Sequence, residues 1–374
     1  MNGMRVALWG LLIAKLIGGW GVQWDIQWHV RIGRDSFWIA PHVMTYASVA
    51  LSVLLSFGIL VLTTVRGPAL SSSGTVRFLV LAGTRGFHLA AWGIALTVLA
   101  APIDDLWHRL FGVDVTLWSP PHLLGLLGSA INTAACLVIA REVYPPGSRA
   151  RLTAVLFAGA LLYATLHITL QPTIRVAYLY GGARFYAYII LAALILPLAL
   201  VATARMAESR WAPLFLLALV LAVGTTGNQI ARAGFAVLQP VSVIEEEVAK
   251  DPTSPIAVAY VIAKKNGTEP GRPAGASPFL ALIPACAMAL LDPRRRPVAA
   301  TIGYAGVLFV VSGWQLARLP ALEPMVPGLA ESLLALSLTL ASALVGGAGA
   351  RRLADALGPV PLGQVRAETR CAGI

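Results

Sequence analysis

Four of the six histidines in this chain of 374 residues stand in two stretches with nearly the same spacing. The first runs from Asp25 through Trp28, His29, Gly33, Asp35, Trp38 and Pro41 to His42; the second runs from Asp104 through Trp107, His108, Gly112, Asp114, Trp118 and Pro121 to His122. In both, His follows Asp by four residues, and the second stretch inserts one extra residue before its Trp, Pro and His. One carboxylate and two imidazoles are a metal-ligand set. On a helix, residues four apart share a face. The third ligand follows a proline, which favours the first turn of a helix, so it stands at the head of the next one. The triads Asp25, His29, His42 and Asp104, His108, His122 suit copper, non-haem iron or zinc by ligand type, which leaves the metal open. Open positions on a redox metal permit oxygen chemistry, whereas a closed tetrahedral site is structural.

The elements that must position these triads are membrane helices. Hydrophobic residues make up 57% of the chain and charged residues 12%, with mean hydropathy +0.76, while soluble domains carry roughly a quarter charged residues. A span needs about 20 apolar residues. The sequence predicts an all-α polytopic bundle of about ten such segments, near 4–22, 40–64, 77–102, 119–141, 151–171, 185–206, 211–237, 277–292, 297–317 and 328–349. The eighth is short, and a tight turn joins it to the ninth. Lys15 interrupts the first, and no small-residue cleavage site follows it, so it reads as a span and not as a cleaved signal peptide. Residues 1–145 form a metal-binding region of two helical hairpins in parallel repeat; residues 146–374 add further spans and a loop of about 239–277.

The net charge of +11 reports topology and not a nucleic-acid partner. Arginines collect in alternate loops: Arg66 and Arg77; Arg141, Arg149 and Arg151; Arg205 and Arg210; Arg294, Arg295 and Arg296; then Arg351 and Arg352. The positive-inside rule assigns these to the cytoplasm. The chain is therefore expected to be a multi-pass protein of the inner (plasma) membrane, in contact with lipid, with both termini cytoplasmic and both triads extracytoplasmic. Cys136, Cys286 and Cys371 fall in separate segments and imply neither a disulfide nor a thiolate site.

Blander roles fit the neighbours of the triads. Trp28, Trp38, Trp107 and Trp118 read as interfacial belt and packing residues, and Asp35 and Asp114 as helix caps or partners of the histidines. His88, beside Arg85, reads as a core histidine; His167, near the outer end of the fifth segment, is an open candidate. Met1, Met4, Met44, Met206, Met288 and Met325 are scattered, which disfavours a thioether relay for Cu(I). A transporter needs polar groups at the bilayer midplane, for which Arg85 with His88 is the one hint.

The run Asp25-Ile-Gln-Trp28-His29, followed by Arg34-Asp35-Ser36 and His42, resembles the signature of the C subunit of the particulate methane and ammonia monooxygenase family, copper-dependent membrane oxygenases. In that family an Asp, a His four residues on and a second His thirteen further on bind copper, matching Asp25, His29 and His42. A second family site uses Asn, His and His, matching Asp104, His108 and His122 with Asp in place of Asn. The likeness covers about the first 125 residues. It implies copper at both triads, hydroxylation of a small apolar substrate by dioxygen with the first triad as the reactive site, partner subunits and a trimeric assembly. A different class fits the same ligands: a non-catalytic membrane protein that acquires or delivers copper, or serves a larger assembly.

Overall fold

The computed structural model describes residues 2–33, 36–67, 75–111, 116–267 and 278–358, and the chain is an all-α polytopic bundle. Helices α1 (Asn2–Ile32) and α2 (Ala40–Arg66) form one hairpin; α3 (Arg85–Phe111) and α4 (Pro120–Val143) form the next. Between them β1 (Thr75–Phe78) pairs antiparallel with β2 (Leu81–Thr84), Thr75 opposite Thr84. Then come α5 (Arg149–Ile168), α6 (Thr173–Tyr180), α7 (Ala187–Ile195), α8 (Pro197–Met206), α9 (Ala212–Leu238), α10 (Ile244–Lys250), α11 (Pro255–Lys265), α12 (Leu282–Leu290), α13 (Pro297–Leu316) and α14 (Leu329–Leu357).

Among the described residues nine helical stretches are long and apolar enough to cross a membrane, one fewer than the sequence predicts. The exception is the segment expected near 277–292, whose apolar helix is Phe279–Leu290. At 1.5 Å per residue it reaches about 18 Å, short of a hydrocarbon core of about 30 Å. Pro293 sets its end, because the residue before proline is driven out of the helical region; Asp292 there has φ +52°. The chain nevertheless traverses the bundle at this point. Val243 N and Ser242 Oγ, just beyond α9, donate to the carbonyls of Ile32 and Arg31 at one end of α1. Arg294 Nη1 donates to Glu208 O at 2.8 Å, beside the turn from which α9 starts. Hydrogen bonds from Arg294 also hold the Asp292 carboxyl below its usual range.

Arginines of the alternate loops gather at one end of the bundle. Arg205 pairs with Asp355 at 2.7 Å and Arg151 with Glu208 at 3.3 Å. Several guanidiniums meet helix C-termini, where free carbonyls and the helix dipole favour cations: Arg5 donates to Val143 O, and Arg85 to Gly358 O and Ala356 O. Both triads lie at the opposite end.

The third segment also differs from expectation. It starts at Arg85 and not near 77, and most of residues 77–84 form the β-hairpin, whose tip residues Phe78, Leu79 and Val80 are exposed. A short apolar run bounded by Gly and Thr reads equally as strand or helix, since periodicity does not separate the two.

One buried core runs from Leu8 and Leu11 of α1 through Ile139 of α4 and Leu200 of α8 to Tyr304 of α13, so packing is continuous across residue 145. The two N-terminal hairpins close through matching positions. Gly18 abuts Ser48 and Gly21 abuts Thr45; in the second hairpin Gly128 abuts Thr97 and Gly125 abuts Ala100. The triad offsets of 79 and 80 residues carry the first set of pairs onto the second. A Cβ at Gly128 would lie 2.6 Å from Gly93 O and from Thr97 N, both backbone atoms. Gly128→Ala is therefore expected to force α3 from α4 and destabilise the protein by about 1–3 kcal/mol, lowering the melting temperature in detergent. Gly19→Ala, with nothing within 4 Å, serves as the neutral comparison.

Candidate metal centre

Each triad is assembled by the end of one helix and the start of the next. Asp25 and His29 occupy the last turns of α1, and His42 the first turn of α2, which begins with Ala40 and Pro41 after Ile39 in extended conformation. Asp104 and His108 end α3, and His122 opens α4 after Pro120 and Pro121. The proline-led start needs no side-chain cap, and neither helix has one.

In the second triad two imidazole nitrogens face one carboxylate. His108 Nε2 lies 3.3 Å from Asp104 Oδ2, and His122 Nε2 lies 3.4 Å from Asp104 Oδ1. Charge-assisted N–H···O bonds are shorter, about 2.7–2.9 Å. The observed separations are longer, and they set one imidazole nitrogen against each oxygen of a single carboxylate. One ligand atom from each of the three residues falls within 4.8 Å of the other two, a convergence that this triad alone shows among the described residues. His122 Nδ1 donates to Thr116 O at 2.7 Å. That bond places the proton on Nδ1 and leaves the Nε2 lone pair facing Asp104, as metal-bound histidines are commonly held.

The first triad repeats part of this arrangement. His42 Nδ1 donates to Ser36 O at 3.0 Å, six residues upstream as in the second copy, and His42 Nε2 stands 3.1 Å from Asp25 Oδ1. His29 differs. Its Nδ1, not its Nε2, faces Asp25 Oδ1 at 3.5 Å, and that same nitrogen donates to Asp25 O at 2.9 Å. The His29 lone pair on Nε2 is thereby turned from the point where the other two ligands meet. Rotation of that ring is required before three lone pairs converge. The sequence places the reactive site at the first triad, whereas the tighter convergence is at the second.

The two carboxylates share one further property. Asp25 Oδ1 and Asp104 Oδ1 are buried and accept no hydrogen bond of good geometry, despite the nearby imidazoles. An unsatisfied buried carboxylate oxygen is costly, and a cation between carboxylate and imidazoles removes that cost. Neither triad is sealed: side-chain exposures are 17–24% in the first and 28–29% in the second.

The surroundings differ as well. Trp28 is buried and stacks on Phe235 of α9 at 5.7 Å, and Gln23 and Gln27 both donate to Asn228 Oδ1, at 2.7 and 3.2 Å. Asn228 thus joins the seam that fixes α1 against α9. Trp38 is exposed, Trp107 packs on Phe111, and Trp118 Nε1 donates to Thr169 O at 2.7 Å. The expected roles of Asp35 and Asp114 fall outside the described residues, as do Arg34 and Gly112. His88 is 7% exposed with Nε2 donating to Val76 O at 3.1 Å, far from the triads, and its Nδ1 is unpartnered. Sequence reasoning passes over the carbonyls of Ser36 and Thr116. The signal is present, since each hydroxyl residue sits two positions before the repeated Trp.

No protein-family model, curated protein or solved structure matches the chain.

Proposed function

We propose that this protein is a membrane metalloprotein that holds copper at Asp104, His108 and His122, and a second ion at Asp25, His29 and His42, as a divergent relative of the C subunit of the copper membrane monooxygenases. The observation that carries the reading is the pair of Nε2 atoms 3.3 and 3.4 Å from the one Asp104 carboxylate. Iron and zinc fit the same ligand types, so the ion is a matter for assay. Copper held there would supply one-electron redox chemistry with a coordination position left for dioxygen. Asp104 contributes the anionic charge, and the Thr116 carbonyl keeps His122 in the tautomer that offers Nε2. Leu106, Leu110 and Phe111 are exposed on the same helix end and give a small apolar substrate an approach from the lipid. Partner subunits or further copies of this chain supply the electron entry that an oxygenase of this kind requires.

Metal content tests this directly. Protein purified in detergent with copper present is expected to retain one to two equivalents by mass spectrometry, falling by about one equivalent in His108→Ala and in His29→Ala, in line with ligand removal. Absence of copper, iron and zinc from wild type, or no change in either variant, overturns the reading. The partial exposure of both triads favours a second reading, copper acquisition or delivery without turnover, because an ion held by partly exposed ligands would exchange readily. Oxygen-dependent hydroxylation of a small hydrocarbon separates the two: turnover supports the oxygenase, while transfer of copper to a competing chelator without turnover supports delivery.

A further inference from the structure

His167 stands near the end of α5 on the triad side, on the bundle surface, and is not absorbed by either triad. Its Nε2 lies 3.0 Å from the hydroxyl of Tyr188, which is half-buried on α7. The imidazole lies flat over the ring of Tyr163, with centroids 5.9 Å apart and planes 12° from parallel, and meets Tyr188 edge-on at 5.8 Å. Behind it lie the side chains of Tyr163 and Tyr304, 4% and 1% exposed. Trp118, in the loop leading to His122, donates its indole N–H to Thr169 O, two residues beyond His167.

We propose that Tyr188 and His167 form a proton-coupled redox pair. A phenol gives up an electron far more readily when its proton has somewhere to go, because the protonated phenoxyl radical is a strong acid. At the 3.0 Å separation, with the His167 proton on Nδ1, the Tyr188 O–H donates to His167 Nε2. In the step, a one-electron oxidant of the transition-metal class takes one electron from Tyr188, and the Tyr188 O–H proton moves to Nε2. The products are a neutral phenoxyl radical and an imidazolium; one electron from a donor, with return of the proton, restores the pair. The imidazolium so formed lies over the face of Tyr163, within the roughly 6 Å at which a cation is stabilised by an aromatic ring. Among the described residues, Tyr188 is the tyrosine whose hydroxyl is hydrogen-bonded to an imidazole. The contact between Trp118 and Thr169 places the pair beside the second triad, where it can carry single electrons between that end of the bundle and the surface. The assignment rests on the pair's own geometry and holds whether or not the triads bind metal.

The test uses the full-length protein without added metal, in detergent, with a flash-oxidised ruthenium polypyridyl complex as oxidant and electron paramagnetic resonance as readout. Wild type is expected to give a neutral tyrosyl radical whose formation slows in D2O. Tyr188→Phe, which keeps the ring and its packing, is expected to remove most of that signal, whereas Tyr304→Phe keeps it. His167→Gln keeps a hydrogen-bond acceptor for Tyr188 but cannot take up its proton, and is expected to slow radical formation at least about tenfold and erase the D2O effect. An unchanged radical in Tyr188→Phe, or an unchanged rate and isotope effect in His167→Gln, overturns the proposal. A merely structural hydrogen bond predicts no effect of His167→Gln.

Discussion

Asp104→Ala is expected to lower the copper affinity of the second triad by more than about hundredfold, since even residues that only orient a ligand contribute 10- to 100-fold. Titration against a competing chelator measures it. The same substitution is expected to leave the metal-free protein as stable as wild type or slightly more so. Asp104 Oδ1 is buried and accepts no hydrogen bond, so deleting the carboxylate removes an unsatisfied oxygen, which offsets the loss of the 3.3 Å contact between Oδ2 and His108 Nε2. The two effects come apart in a melting experiment. An ion that binds only the folded state stabilises it by about 2.7 kcal/mol at 100 times its dissociation constant, so copper is expected to raise the wild-type melting temperature and to have no such effect in Asp104→Ala. A lower melting temperature without metal, together with an undiminished copper shift, would reassign Asp104 to the fold. Asp104→Asn discriminates further. It introduces the residue that the resembled family carries at this position, retaining one carbonyl oxygen but losing the charge, and an intermediate affinity is expected.

The corresponding change in the first hairpin, Asp25→Ala, is expected to have the smaller effect on copper retention. There the carboxylate meets one imidazole through Nε2 and the other through Nδ1, and His29 Nδ1 is already committed to the Asp25 carbonyl. Binding at this triad must rotate the His29 ring and give up that hydrogen bond, a cost the second triad does not carry.

Membrane class, the helical hairpins and the face shared by Asp and His are legible in the sequence because each rests on a short-range rule: apolar length, the i to i+4 relation and proline at a helix start. The orientation of an imidazole is not of that kind. Asp25-x-x-x-His29 and Asp104-x-x-x-His108 are identical in spacing, yet one ring presents Nδ1 and the other Nε2. That choice depends on which carbonyl and which neighbours surround the ring. The third segment shows the same limit, since Phe78-Leu-Val-Leu81 is apolar enough for a span yet turns back on itself at Leu79, where φ is +52°. The eighth segment is shortened by Asp292-Pro293, a stop signal visible in the sequence. The traverse at this point agrees with the span the sequence predicts there; the contact that fixes its far end, Arg294 on the Glu208 carbonyl, joins residues 86 apart and has no short-range signature. The pairing of His167 with Tyr188 joins residues 21 apart on different helices and has no sequence signature.

Lys15→Met is expected to raise the melting temperature. Lys15 lies within α1, is 9% exposed and donates to Ser129 Oγ on α4 at 3.3 Å. No carboxylate pairs with it among the described residues, and the ionisable group that senses it is the Cys136 thiol. A lysine at the centre of a membrane helix costs about 2.5–3.5 kcal/mol on insertion scales, and methionine fills a similar volume without the charge. The lost hydrogen bond to Ser129 is worth about 1.5–3 kcal/mol when the donor is charged, but at 3.3 Å this one belongs at the weak end, so a net gain of about 1–2 kcal/mol is expected. Ser129→Ala, which keeps the ammonium and removes its acceptor, is expected to act in the opposite direction. In the double variant Ser129→Ala should have almost no effect, because the group it served is gone. A fall in melting temperature in Lys15→Met would mean that the ammonium is held by more than Ser129.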